Sequence, residues 1–307
     1  MRIAVSGGTG FVGRALTNEL LKQGHEVFIL TRKPPAGENS GPGKVTYIQW
    51  MSPDSDPAAE LKEIDVVINL AGEPIGNGRW TEKRKERIIR SRIETTEEWL
   101  NIVKKLDTKP EVFINASAIG YYGTSFSKTF TEKDTEPGND FLALTAKTWE
   151  QKALEIEKRG IRTVLARFGI ILGAYEGALP KMVLPYTFFV GGTLGSGKQW
   201  LSWIHIEDVV RGILFLIENE SISGPVNFTA PNPVTMKEFG KTTAKVLRRP
   251  HWFPVPSVLL RIVLGEMSLL VVEGQKVLPQ KLLEAGFQFS YPTLETALTH
   301  LLKNNHA

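Results

Sequence analysis

Two hydrophobic rhythms alternate through residues 1–230. Short apolar runs occur around Ile3 and Val5, at Glu26 to Leu30, Val45 to Trp50, Asp65 to Leu70, Glu111 to Ser117 and Ile161 to Phe168. Between them, Phe11 to Leu21, Thr81 to Leu106 and Asn139 to Lys158 carry apolar residues at three- and four-residue spacing. Asp65 to Leu70 is apolar enough to be buried on both faces, as in a parallel sheet flanked by helices. Strands alternating with helices predict an α/β, doubly wound parallel sheet that binds its ligand at the carboxyl ends of the strands.

The pattern then changes. Gly and Pro crowd residues 173–197, a strand–helix unit follows at Trp203 to Ile217, and a short strand is predicted at Val226 to Phe228. From Thr235 the chain reads as mostly helical, punctuated by Pro250, Pro254, Pro256 and Pro279. The expected division is a nucleotide-binding domain over 1–230 and a smaller, mainly helical cap over 231–307, with 173–204 contributing to the substrate side. Val255 to Val272 is the most apolar stretch, but Arg261 and Glu266 interrupt it. It falls short of the ~18 uncharged residues that mark a membrane span and reads as a buried or groove-lining helix.

The first strand turns directly into Gly7-Gly8-Thr9-Gly10-Phe11-Val12-Gly13. Gly7 suits a tight turn, Gly10 close backbone approach to a pyrophosphate, and Gly13 close packing of the helix on the sheet. The helix N-terminus would then face the anion. Gly7, Thr9, Gly10, Phe11, Val12 and Gly13 are the candidate cradle of a dinucleotide; a purely structural β-turn-α connection is the competing reading. The second strand ends in Thr31-Arg32-Lys33, with no acid to hold a ribose hydroxyl. That favours NADP(H) over NAD(H), against the alternative of a solvated basic loop.

Composition narrows the chemistry. The chain has no cysteine, which excludes disulfides, thiolate metal sites and cysteine nucleophiles. Its histidines (His25, His205, His251, His300, His306) lack ligand spacing, so no metal is assigned. A net charge of +4 on 307 residues is too small to argue for nucleic acid. The N-terminal residues enter a strand without a charged-then-apolar leader, so a cytoplasmic protein with neither nucleic-acid nor membrane partner is expected. A small-molecule substrate is expected, and a homodimer is a candidate assembly.

Further candidates lie at strand ends. Leu70-Ala71-Gly72 follows the fourth strand, either as a turn or as a backbone surface for the cofactor. Ser117 ends the fifth strand, as a hydrogen-bonding group for a substrate oxygen or as a strand-end cap. Tyr122 is a candidate acid/base if a nearby cation lowers its pKa from ~10. Lys147, within a helix, is a candidate for that cation or for holding a ribose; the alternative is a surface lysine. Gly192-Thr-Leu-Gly-Ser-Gly197-Lys198 approaches a phosphate-binding loop, but Gln199 replaces the magnesium-binding hydroxyl and strand follows instead of helix. Lys198 and His205 remain candidates on the substrate side.

Together these segments resemble the extended short-chain dehydrogenase/reductases of the nucleotide-sugar epimerase and dehydratase type. The similarity runs through the glycine loop, Leu70-Ala-Gly, Arg167-Phe-Gly-Ile-Ile-Leu-Gly173 and Trp203-Ile-His-Ile-Glu-Asp-Val-Val. Arg79-Trp-Thr, Ser91-Arg92, Ile119-Gly-Tyr-Tyr-Gly123, Asp140-Phe-Leu-Ala143, Trp149-Glu150 and Gly286-Phe-Gln-Phe-Ser-Tyr-Pro292 resemble an epimerase-like subfamily with its own C-terminal domain. The cell-division-inhibitor label sometimes attached to that subfamily is neither supported nor required by these residues. The resemblance implies a Rossmann-like fold and NAD(P) binding. It adds Arg167 to the cofactor side, and Arg79 and Arg92 as anion contacts on the substrate side.

The wider family places a catalytic tyrosine four residues before its lysine; four before Lys147 stands Ala143. Two functions follow. One is an NADP(H)-dependent oxidoreductase or epimerase acting on a small carbonyl or sugar-like compound by hydride transfer, with Ser117, Tyr122 and Lys147 as the catalytic candidates. The other is a catalytically weak or inactive NADP(H)-binding regulatory or scaffold protein.

Overall fold

The structure is a computed structural model and describes residues 1–35 and 45–303. Most of the turn-rich stretch Pro34 to Gly43, and His306, lie outside the described residues. The N-terminal region runs β1 (Arg2–Ser6), α1 (Phe11–Lys22), β2 (Glu26–Thr31), β3 (Val45–Gln49), α2 (Pro57–Glu60), β4 (Val66–Asn69) and α3 (Glu82–Lys105). It continues through β5 (Val112–Ala118), β6 (Thr129–Phe130), α4 (Phe141–Glu157), β7 (Arg162–Phe168) and β8 (Ile170–Leu172). Next come α5 (Leu179–Thr187), β9 (Trp200–Leu201), β10 (Trp203–His205), α6 (Ile206–Glu218) and β11 (Gly224–Phe228). The C-terminal region adds β12 (Val234–Thr235), α7 (Met236–Leu247), α8 (Ser257–Leu264), α9 (Leu269–Val272), β13 (Lys276–Val277), α10 (Gln280–Glu284) and α11 (Leu294–Lys303).

Seven strands form one parallel sheet in the order β3-β2-β1-β4-β5-β7-β11. The order reverses between β1 and β4, and at such a switch point the connections leave in opposite directions and open a crevice at the carboxyl ends. Alternation along each strand sorts side chains into two layers. Ile3, Val5, Val66, Ile68, Val112 and Ile114 join Leu16 and Leu20 of α1 and Ile213 and Leu216 of α6. Ala4, Val67, Phe113 and Leu165 join Trp99 and Val103 of α3 and Ile156 of α4 on the opposite face. A period-two strand delivers successive side chains to opposite faces, so both faces of the sheet are covered by helices.

Two small pairings stitch the C-terminal region to the sheet domain: β12 pairs antiparallel with β9, and β13 pairs parallel with β6. A separate core holds Trp203, Phe239, Val246, Leu294, Leu298 and Leu301. The expected buried or groove-lining character of Val255 to Val272 is corrected in part. None of the α8 residues is buried; the buried contacts of this stretch come later, at Ser268 and Val272. No helix of the described residues is long and apolar enough to cross a membrane.

Candidate cofactor and substrate site

The glycine loop packs as tightly as its spacing implies. Gly7 has a φ of +74°, and a Cβ on it would lie 2.7 Å from the Leu70 carbonyl. A Cβ on Gly13 would fall 2.2 Å from the Gly7 oxygen, which holds α1 against the loop. Gly10 caps α1 without any side-chain hydrogen bond, and no acid occupies the first turn. Its unsatisfied N–H groups and positive dipole end therefore suit an anionic group. Thr9 accepts from the Arg14 guanidinium through its carbonyl, and Arg14 also pairs with Glu176. The Phe11 ring sits where Cβ atoms on Gly173 and Gly177 would be, so it seats the loop after β8. Val12 is half-buried against the core. At the end of β2, Thr31 is half-buried and Arg32 exposed.

Beneath this loop lies a buried polar layer. Ser6 donates to Asn69 Oδ1 (2.7 Å), and the Asn69 amide donates to Asn115 Oδ1 (2.7 Å) and Thr96 Oγ1 (3.1 Å). Trp99 Nε1 donates to Ser6 Oγ and Trp149 Nε1 to Thr96 Oγ1. The network fixes the carboxyl ends of β1, β4 and β5 against α3 and α4, because each buried polar atom left unpaired would carry a desolvation cost.

A cavity of about 330 Å³ opens against the carboxyl ends of β5 and β7. Ala116, Ser117 and Ala118 form its floor, Leu142, Thr145, Ala146 and Trp149 of α4 one wall, and Leu269, Leu270 and Gln275 another. Arg92 borders it 5.0 Å over the Trp149 ring, donating to the Glu73 and Ile88 carbonyls. Burial pulls its guanidinium pKa down to about 10, with Glu73 acting in the other direction.

Ser117 Oγ donates to Glu150 Oε1 at 2.6 Å, and Arg167 grips the same carboxylate with Nε and Nη2, each at 2.8 Å. All three are buried. Burial acts to lower the Arg167 pKa, but the hydrogen bonds and charge of Glu150 outweigh it and hold the pKa above its ordinary value. The guanidinium also lies 3.6 Å from the Tyr121 ring centroid and 4.9 Å from that of Tyr122.

Residues 3–228 match the NAD dependent epimerase/dehydratase family, and residues 255–301 match a domain of unknown function (DUF1731). The chain belongs to the NAD dependent epimerase/dehydratase family. It is 54% identical to the epimerase family protein YfhF of Bacillus subtilis, over 98% of each chain. Among solved structures it is similar to the human epimerase family protein SDR39U1 crystallised with NADPH: 35% identity, TM-score 0.88, covering 99% of this chain and all of that one. A nucleoside-diphosphate sugar epimerase from Corynebacterium glutamicum is 32% identical with a TM-score of 0.78. That match covers 98% of this chain and 58% of the other.

Several sequence candidates of this family member stand elsewhere than expected. Tyr122 is buried, stacks on Phe130 and donates its hydroxyl to Asn227 Oδ1 at 2.8 Å. Burial pushes its pKa up to about 12, with Arg167 only partly opposing the rise, so the lowered pKa required of a proton carrier is not met. Lys147 lies on the exposed face of α4, outside the cavity. Ala143 is fully buried beside Gly138. The four-residue pair on α4 that does face the cavity is Leu142 and Ala146, one position earlier; one residue turns a helix by ~100°.

The remaining substrate-side candidates are dispersed. Arg79 donates to the Val263 carbonyl at the end of α8. Gly72 lies against the Arg92 side chain. Lys198 is exposed, whereas Gln199 beside it is buried and donates to the Leu194 and Val271 carbonyls, organising the glycine loop around itself. His205 is fully buried away from the cavity, where its Nδ1 accepts from the Glu207 N–H to cap α6.

His205 lies with Glu207 and His300 close enough to share a cation, a grouping that sequence spacing did not bring together. The helix cap fixes the proton on His205 Nε2, which faces His300 Nδ1 at 3.1 Å. Both His205 nitrogens are thus committed to hydrogen bonds, and a metal there would have to displace one of them.

Glu150 entered the sequence reading only within the Trp149-Glu150 resemblance and was given no role there. Its signal was a carboxylate among Ala146, Trp149 and Ala153 on the inward stripe of an amphipathic helix, a place acids avoid unless paired.

Proposed function

We propose that this chain is an NADP(H)-binding oxidoreductase or epimerase-like enzyme acting on a small carbonyl compound, or the corresponding alcohol, with a largely apolar body. The Ser117–Glu150 contact at the floor of the cavity carries the reading. The cradle at Gly7, Gly10 and Gly13 fits a pyrophosphate, because the loop packs too closely for a Cβ at Gly7 or Gly13 and leaves the N-terminus of α1 without a side-chain cap or an acid. Arg32, exposed and in no ion pair among the described residues, supplies a cation for a 2′-phosphate, and the NADPH in the human SDR39U1 structure supports that choice. When bound, the nicotinamide supplies hydride exchange with the substrate carbon.

The protein's own part is the proton. With its hydrogen directed at Glu150, Ser117 Oγ turns its lone pairs toward the cavity and accepts a hydrogen bond from a substrate hydroxyl. On oxidation of an alcohol, the substrate proton passes to Ser117 Oγ as the serine proton passes to Glu150; carbonyl reduction runs the same transfers in reverse. Arg167 holds the carboxylate in place between turnovers. Ile119, Leu142, Trp149 and Phe168 surround the remainder of the substrate with apolar surface.

A second reading is NADP(H) binding without turnover, in which the cofactor sets the conformation of the C-terminal region and a partner reads it. Leu142 and Ala146 facing the cavity, with no tyrosine or lysine there, favour it. NADPH titration by protein fluorescence, followed by assays of NADPH oxidation over carbonyls and NADP+ reduction over alcohols, separates the two. Turnover lost in Ser117→Ala supports the enzyme. Tight binding with no turnover in either direction leaves the regulatory reading, and failure to bind the dinucleotide removes both.

A further inference from the structure

A second feature of the molecule, independent of the cavity, is an uncovered apolar face. It is built where the chain leaving α5 runs alongside residues 252–255. Trp252 Nε1 donates to the Phe189 carbonyl, and Val255 and Gly195 exchange backbone hydrogen bonds with the 193–195 segment and Val255 respectively. α8 continues directly from this seam. Phe188 (69%), Trp252 (71%), Phe253 (62%), Val258 (67%) and Ile262 (70%) stand more than half exposed. A helix with no buried residue, joined to three exposed aromatics, departs from the polar outer face that a surface helix needs for water.

The segments that build this face are one-sided in charge, although Glu266 follows α8 and Glu273 pairs with its Arg261. Residues 177–206 and 239–265, which build the face, contain seven Lys and Arg and not a single Asp or Glu. The whole chain carries only +4, so the remainder of the protein is net acidic. Lys181, Lys198, Lys241, Arg248 and Arg249 pair with no carboxylate among the described residues, and Arg249 instead lies 4.3 Å from the Phe189 ring centroid.

We infer that this face seats the protein on an anionic phospholipid surface, with Phe188, Trp252, Phe253 and α8 entering the headgroup–acyl boundary and the unpaired cations meeting lipid phosphates. Aromatic and aliphatic side chains within a basic rim are what such a boundary takes up, and the two contributions reinforce one another. A second copy fits less well, since a two-fold contact would set these unpaired cations against their own images. Lying on a surface needs no spanning segment, and the inference departs from the expectation of no membrane partner.

The test is co-sedimentation of the full chain with vesicles of phosphatidylcholine alone and with about 30% phosphatidylglycerol. The anionic vesicles are expected to take up the protein at least tenfold better, with the advantage lost near 0.5 M salt. Trp252→Ser with Ile262→Ser, and separately Arg248→Glu with Arg249→Glu, should each lower partitioning about tenfold or more. These side chains are exposed, so circular dichroism should match the parent. No preference for anionic vesicles, or binding that survives both double variants, overturns the inference. So does a dimer in light scattering that Trp252→Ser with Ile262→Ser converts to monomer, which would give the face to a second copy.

Discussion

Ser117 Oγ and Glu150 Oε1 stand 2.6 Å apart, one at the end of β5 and the other on the inward face of α4, 33 residues later in the chain. The pair places a proton path at the floor of a largely apolar cavity and makes distinct demands on its two members. Ser117→Ala should leave NADPH affinity unchanged and lower kcat by about 10²–10⁴-fold, measured as NADPH oxidation on the best carbonyl substrate. An undiminished kcat would remove Ser117 from the proton path.

Glu150→Gln should behave differently, because it strips the buried Arg167 of its counter-charge. Breaking a buried ion pair from one side costs about 3–5 kcal/mol. Urea unfolding should show that loss in Glu150→Gln, whereas Ser117→Ala should lose about 1–2 kcal/mol. Equal stabilities for the two variants would mean that the ion pair does not govern the fold here.

Tyr122→Phe and Lys147→Ala should both keep kcat within about threefold of the parent, since one hydroxyl is tied to Asn227 and the other side chain stands outside the cavity. Tyr122→Phe should still cost about 1 kcal/mol of stability for the lost hydrogen bond. A hundredfold fall in kcat from either substitution would contradict this placement.

Gly10→Ala separates cofactor binding from folding. Gly10 has an ordinary φ of −82°, and its added Cβ would lie 3.2 Å from the Gly7 oxygen, a contact that small adjustments can relieve. The variant should fold, yet bind NADPH at least about tenfold more weakly because the methyl intrudes on the anion site. Gly13→Ala, with its 2.2 Å clash, should instead fail in thermal unfolding first. For the choice of dinucleotide, Arg32→Ala should weaken NADPH far more than NADH; matching losses would argue against a 2′-phosphate contact.

Acid should unfold the protein partly through His205. Burial, with a smaller contribution from His300, lowers its pKa from 6.5 to about 3, so the folded state holds it neutral while the unfolded chain takes up a proton below pH 6.5. The stabilisation is complete above 6.5 and declines as the pH falls toward 3; going from pH 6.5 to 5 should cost about 2 kcal/mol from this group. His205→Asn, which retains a capping side chain for α6, should flatten that slope in urea titrations at the two pH values. An unchanged slope would assign the acid sensitivity to other groups.

The sequence alone carried the main strands and helices of the sheet and the tight packing of the glycine loop, because these rest on local rules. A period of two or of three to four residues reports which faces are buried, and Gly7 to Gly13 must turn and pack within a few residues of itself. It could not carry contacts across the sheet. Ser117 meets Glu150, His205 meets His300 and Tyr122 meets Asn227 only when distant segments fold together, and no local pattern records those pairings. Nor could it fix the rotation of α4, where one residue separates an exposed Lys147 from a cavity-facing Ala146. The same limit applied to Val255 to Val272, whose apolar composition promised a buried or groove-lining helix and whose Leu269 and Leu270 alone line the cavity while α8 stays uncovered. Composition measures how strongly a segment avoids water, but only the packed tertiary structure shows whether anything was left to cover α8.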